Sequence, residues 1–163
     1  MKILLIVRHA KSSWKDHDLA DHQRPLNNRG KKAAPEMGRR LLKRGVQPDI
    51  IISSDARRAM DTAVSMAKIM GVSSKAIRQN PDLYHAAPDR ILAVVHQLED
   101  EWKQVMVVGH NPGLTEMANR FTRRPIANIP TAGVVELRFQ TRSWRNIDQD
   151  NLAFSSFDYP KNR

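Results

Sequence analysis

Three continuous aliphatic runs, Ile3 to Val7, Ile50 to Ile52 and Val105 to Val108, constrain this chain more than any other feature. None alternates with polar residues, so a strand built from any of them has no face to turn to water and must be covered on both sides. Strands read over Lys2 to Val7, Asp49 to Ser53 and Gln104 to Val108, with a short extended piece at Ala76 to Gln79 and an alternating strand at Val134 to Phe139. Between them the apolar period changes to that of a helix. Lys31 to Arg44 carries Ala33, Ala34, Met37, Leu41 and Leu42 and stops at Gly45, with Pro35 expected in the first turn. A second helix, capped by Ser54 or Asp55, buries Ala59, Ala63, Met66, Ala67 and Met70 and ends at Gly71. A third covers Asp89 to Leu98, and Asn111-Pro112 opens a fourth that runs to about Phe121. Strands alternating with helices predict an α/β fold: a three-layer α/β/α sandwich with a mostly parallel central sheet and helices on both faces. Residues 1–163 read as one domain, and Trp144, Phe154, Phe157 and Tyr159 make the last stretch too aromatic for a free tail.

Composition removes several chemistries. With no cysteine, the chain has no disulfide, no thiolate nucleophile and no cysteine-ligated metal. The aliphatic runs are too short to span a bilayer, and Met1-Lys2 is followed by no adequate signal core, so a cytoplasmic location is expected. The net charge of +10 implies attraction to something anionic, but the basic residues are dispersed and interrupted by acids. Charge alone leaves open nucleic acid, an acidic protein or a phosphorylated substrate.

In an open α/β sheet, ligands bind beyond the carboxyl ends of the strands. Arg8 and His9 follow the first strand, Ser53-Ser54-Asp55-Ala56-Arg57-Arg58 the second, and Gly109-His110-Asn111-Pro112 the strand from Gln104. Three strand ends thus bring two histidines and at least two arginines to one rim. Taken singly, each has an ordinary structural explanation: a solvated histidine, a charged helix face, a good helix start. Together they suit phosphoryl transfer. Guanidinium groups match phosphate oxygens, helix amino termini add dipoles, and a neutral imidazole is a nucleophile toward phosphorus. No metal or other cofactor is required if arginines neutralise the transferring group.

The ordered blocks VRHAKSS, RPLNNRG, SSDARRAMDTA, LYHA, VVGHNPGL and PTAGVVEL, spread from Val7 to Leu137, resemble the histidine phosphatase superfamily, and within it the small SixA-type phosphohistidine phosphatases. The resemblance implies that His9 is the nucleophile and Arg8 a phosphate clamp. It selects Arg58 over Arg57, because the functional arginine of that block immediately precedes an alanine, and it makes His110 the second pocket histidine. Arg24 would rim the pocket, Thr131-Ala132-Gly133 would close it, and Lys11 would add positive charge.

Two departures matter. Ala10 stands where the broader motif has glycine, which resembles the SixA branch. The segment Asn80 to His85 holds no glutamate where many relatives that cleave phosphomonoesters carry a proton donor; Asp82 is a candidate weak substitute, or simply a turn residue after Pro81. An alkoxide leaving group is the base of an acid about as weak as water, pKa ~15.7, and needs a donor. Imidazole, with a pKa of ~6.5, leaves without one. The resemblance and the missing acid together imply hydrolysis of phosphohistidine on a partner protein, such as a histidine-phosphotransfer domain in signal transduction. The alternatives are a phosphatase for small phosphorylated substrates, and a basic polyanion- or nucleic-acid-binding module with a degenerate pocket. The latter is disfavoured because aromatics are not interleaved with the basic residues.

Overall fold

A computed structural model describes residues 1–163. Six strands form one sheet: β1 (Lys2–Arg8), β2 (Ile50–Ser53), β3 (Ile77–Gln79), β4 (Gln104–Gly109), β5 (Val134–Phe139) and β6 (Leu152–Asp158). Four helices accompany them: α1 (Asn28–Lys43), α2 (Arg57–Met70), α3 (Pro88–His96) and α4 (Gly113–Asn119). Strand order is β3-β2-β4-β1-β5-β6. The β3-β2, β2-β4 and β4-β1 pairings are parallel, and β1-β5 and β5-β6 are antiparallel, so the sheet is mixed at the β5 side.

The unbroken aliphatic runs divide their side chains between the two faces, as the pleat requires. Leu4, Ile6, Ile50, Ile52, Val105 and Val107 pack toward α3 and α4, against Ile91, Val95, Leu114 and Met117. Leu5, Val7, Ile51, Met106 and Val108 pack toward α1 and α2, against Met37, Leu41, Ala63 and Met66. These two cores make the three layers expected. No helix is long and apolar enough to cross a membrane.

Several boundaries differ from expectation. The first helix begins at Asn28, where the Asn27 side chain accepts the Gly30 N–H at 2.9 Å, so Pro35 lies inside it rather than in its first turn. Neither Ser54 nor Asp55 caps α2; Ala56 takes that place with no side-chain cap, and Ser54 Oγ accepts the Ala56 N–H at 3.2 Å instead. The fourth helix stops at Asn119, two residues short of Phe121. The aromatic tail does return, as β6 along β5.

The register brings three strand ends level. Arg8 pairs with Gly109, and Ser53 with Val108, so every residue that follows these strands emerges at one edge. At that edge α4 starts on Gly113, whose position admits no side chain: a Cβ there would lie 2.0 Å from the Ala86 carbonyl oxygen. Gly113→Ala is therefore expected to destabilise the protein by about 1–3 kcal/mol, read as a lower urea midpoint.

Candidate active site

His9 is positioned almost entirely through backbone. Its N–H donates to the Gly109 carbonyl at 3.1 Å, and the Ala132 N–H is shared between the Arg8 and His9 carbonyls, 3.1 Å from each. The following residue, Ala10, donates its N–H to Thr62 Oγ1 at 2.9 Å, and that hydroxyl donates to the Arg58 carbonyl at 2.7 Å. This chain of bonds ties the loop after β1 to the first turn of α2. His9 Nδ1 lies 2.8 Å from the Ala10 carbonyl, to which it donates, leaving Nε2 as the nitrogen with a free lone pair. The ring is buried, 8% exposed. Burial pushes the imidazole down to about 4, against the Ala10 hydrogen bond that would raise it, and the neighbouring Arg58, Arg8 and Arg24 charges act in the same direction as burial. His9 is therefore neutral at physiological pH.

His110, after β4, lies with its ring 5.2 Å from that of His9. Its Nε2 meets Ser54 Oγ at 2.8 Å. The Ser54 hydroxyl meets one other group, the Ala56 N–H, which can only donate, so Nε2 is the one acceptor for its hydrogen and Nδ1 carries the ring hydrogen. Burial first, then the cost of placing a positive charge beside His9, Arg58 and His85, pushes His110 down to about 3, against the pull of Asp21.

These shifts bear on stability. Unfolded, the His9 imidazole takes up a proton below its ordinary 6.5, whereas the folded ring resists until about 4. Stability contributed by this site is whole above pH 6.5 and is lost as pH falls toward 4. The loss from His9 alone is on the order of 3 kcal/mol. Urea unfolding at about pH 7 and about pH 4.5 should show a smaller drop for His9→Gln than for wild type.

The arginines separate clearly. Arg58 is 3% exposed in its side chain and faces the site, donating from Nη1 to the Asp21 carbonyl at 2.7 Å and from Nη2 to Asp21 Oδ2 at 3.0 Å. Arg57 is 54% exposed and pairs with Asp61 at 3.7 Å. Arg8 donates from Nη1 to the Ile129 carbonyl at 2.9 Å, an oxygen that also receives Asn111 Nδ2 at 2.9 Å. Arg24 is buried at the edge of the cluster, its Nε 3.2 Å from Asp21 Oδ1 and its guanidinium 3.4 Å from the centre of the Trp14 ring. After these bonds are counted, Arg8 Nε, Arg58 Nε and His110 Nδ1 are buried without a partner in the protein.

The remaining expectations need correction. Asp82 is no part of this cluster: it is exposed, and its carboxylate pairs with Arg90 at 3.6 Å. Ala132 and Gly133 do not offer themselves to a phosphate. Both are buried, the Ala132 N–H is spent on the Arg8 and His9 carbonyls, and the Gly133 carbonyl receives the Arg8 N–H at 3.1 Å. Ala132 holds a left-handed φ of 61°, so the loop acts as a buttress under the nucleophile's backbone. Lys11 and Thr131 line a neighbouring groove.

Asp21, Tyr84 and His85 are site residues that sequence reasoning did not assign. Asp21 Oδ2 accepts from the Tyr84 hydroxyl at 2.5 Å, from Arg58 and from His85 Nε2 at 3.0 Å. Burial would raise this carboxyl, but the hydrogen bonds from Tyr84, Arg58 and His85 overcome that and hold it well below the usual carboxylate range. It is a fixed anion that orients the cations around it. His85 has a left-handed φ of 49°, and its ring centre lies 5.2 Å from that of His110.

The comparisons with known proteins agree with this geometry. The family model for the histidine phosphatase superfamily, branch 1, matches residues 4–84, a span that holds Arg8, His9, Arg24 and Arg58. The chain belongs to the histidine phosphatase superfamily. An uncharacterized chloroplastic protein of Arabidopsis thaliana is 30% identical over 149 residues, which cover 86% of this chain and 68% of that protein. A protein of Agrobacterium tumefaciens assigned as the phosphohistidine phosphatase SixA superposes with a TM-score of 0.77 at 25% identity, covering 85% of this chain and 92% of that one. A mycobacterial glucosyl-3-phosphoglycerate phosphatase shares the fold, with a TM-score of 0.69 at 19% identity over 97% of this chain and 98% of its own. The superfamily fold thus occurs with more than one kind of phosphorylated substrate, and the site must decide between them.

Proposed function

We propose that this protein is a phosphohistidine phosphatase that works through a phosphoenzyme on His9. The observation that carries the reading is the set of buried, unpartnered nitrogens, Arg8 Nε, Arg58 Nε and His110 Nδ1, on the three residues gathered around the His9 ring. Buried polar atoms are normally bonded, and three donors left open together point to a ligand with several acceptor oxygens.

In the first displacement the His9 Nε2 lone pair attacks phosphorus in line, and the P–N bond to the substrate imidazole breaks. That imidazole leaves neutral, having taken a proton on the released nitrogen or carried one on the other. Arg8, Arg58 and His110 hold the equatorial oxygens as charge shifts among them. In the second displacement water attacks the phosphoryl group on His9, the P–Nε2 bond breaks, and phosphate departs with the oxygen of water. His9, neutral because it is buried, is ready for the first step at physiological pH.

A second reading, hydrolysis of small phosphomonoesters, has one observation in its favour. His85, at the rim and oriented by the Asp21 carboxylate, has the arrangement of a proton donor for an alkoxide. The two readings separate in parallel assays of phosphate release from a histidine-phosphorylated phosphotransfer domain and from a panel of sugar and serine phosphates. The proposal expects the phosphohistidine substrate to dominate and His85→Ala to leave its rate nearly intact. Faster turnover of a phosphomonoester that collapses in His85→Ala would establish the second reading instead.

A further inference from the structure

Between α1 and the carboxyl-terminal segment runs a groove of about 930 Å³, walled at one end by Lys11 and Thr131. Lys11 is two residues beyond His9, and Thr131 adjoins the Ala132 buttress, so groove and pocket share a wall. The charge of the groove is one-sided. Lys11, Arg29, Lys32, Lys161 and Arg163 line it, all exposed and none in an ion pair. Its one acid, Glu36, is already matched by Arg39 at 3.3 Å and Arg40 at 3.4 Å. Arg40 also fixes the far wall, donating to the carbonyls of Tyr159 at 3.0 Å, Pro160 at 3.0 Å and Asn162 at 3.1 Å. Three separate parts of the chain are thereby held together to present unmatched positive charge next to the nucleophile.

We infer that this groove docks an acidic surface of the protein that carries the phosphohistidine, an assignment that rests on the function proposed above. Phosphohistidine is a side chain, so its phosphoryl group reaches His9 with protein surface attached. The groove that begins at Lys11 and Thr131 is a surface beside His9 on which that protein can rest. Free cations there favour an acidic partner, raising its encounter rate and making it salt-sensitive. A polynucleotide fits less well, since Tyr159 is the sole aromatic ring lining the groove and offers no succession of stacking surfaces.

The test compares wild type with the double substitution Lys32→Glu and Lys161→Glu, both outside the pocket. The substrates are free phosphohistidine and a histidine-phosphorylated phosphotransfer domain of net negative charge. The variant should lose about tenfold or more in kcat/KM on the phosphoprotein, mainly through KM, with a flatter dependence on salt, and keep its rate on free phosphohistidine. An unchanged phosphoprotein rate, or an equal fall on both substrates, would overturn the inference. So would an oligonucleotide whose binding is lost in the variant while phosphoprotein turnover is not. Failure of the underlying function is distinguishable: wild type would then cleave neither phosphohistidine substrate.

Discussion

Alanine in place of His9 is expected to lower kcat/KM by about ten-thousand-fold or more and to abolish any phosphorylated form of the enzyme. The site contains no equivalent replacement. The other pocket imidazole, His110, is committed through Nε2 to Ser54. Ser54 itself is engaged twice, by His110 and by the Ala56 N–H. Because His9 is fixed through its backbone, His9→Ala leaves the Gly109, Ala132 and Thr62 bonds in place, and the fold should persist in circular dichroism at neutral pH. Residual turnover near the wild-type rate would remove His9 from the nucleophilic role.

The second large effect is expected at Arg58. Removing a donor aimed at developing negative charge typically costs about 10²- to 10³-fold in kcat, and Arg58→Ala should fall in that range. Lysine should restore little, because the two guanidinium nitrogens bonded to Asp21 leave Nε as a third, separately directed donor. Arg57→Ala is the control: exposed and paired only with Asp61, it should leave turnover unchanged. Steady-state kinetics of the three variants side by side reads both results. Equal effects at Arg57 and Arg58 would contradict the assignment.

The frame of the molecule was legible because it rests on local pattern. Ile3 to Val7 and Val105 to Val108 admit no exposed face, so a covered sheet follows, and the residues after each strand must meet at its carboxyl edge. The choice of Arg58 over Arg57 came from the resemblance alone; the burial of one and the exposure of the other supply its physical counterpart. Asp21 escaped notice for a different reason. It lies in a polar stretch with Asp16 and Asp18, and nothing local marks it; its partners Arg58, Tyr84 and His85 are 37, 63 and 64 residues away. Asp82 drew attention by sitting where a proton donor was sought, but its short side chain finds Arg90 on the surface instead. Strand β6 is hidden in the sequence because Leu152 to Asp158 lacks the strict alternation that marks a strand.

The most direct measurement is to locate and characterise the covalent intermediate. The enzyme would be mixed with excess phosphorylated phosphotransfer domain, quenched in base within one turnover, digested and sequenced by mass spectrometry. The account predicts a phosphoryl group on the peptide containing His9, stable in base, lost in mild acid and absent from His9→Ala. Turnover with the phosphoryl group on any other residue, or with no phosphoenzyme at any quench time, would contradict it.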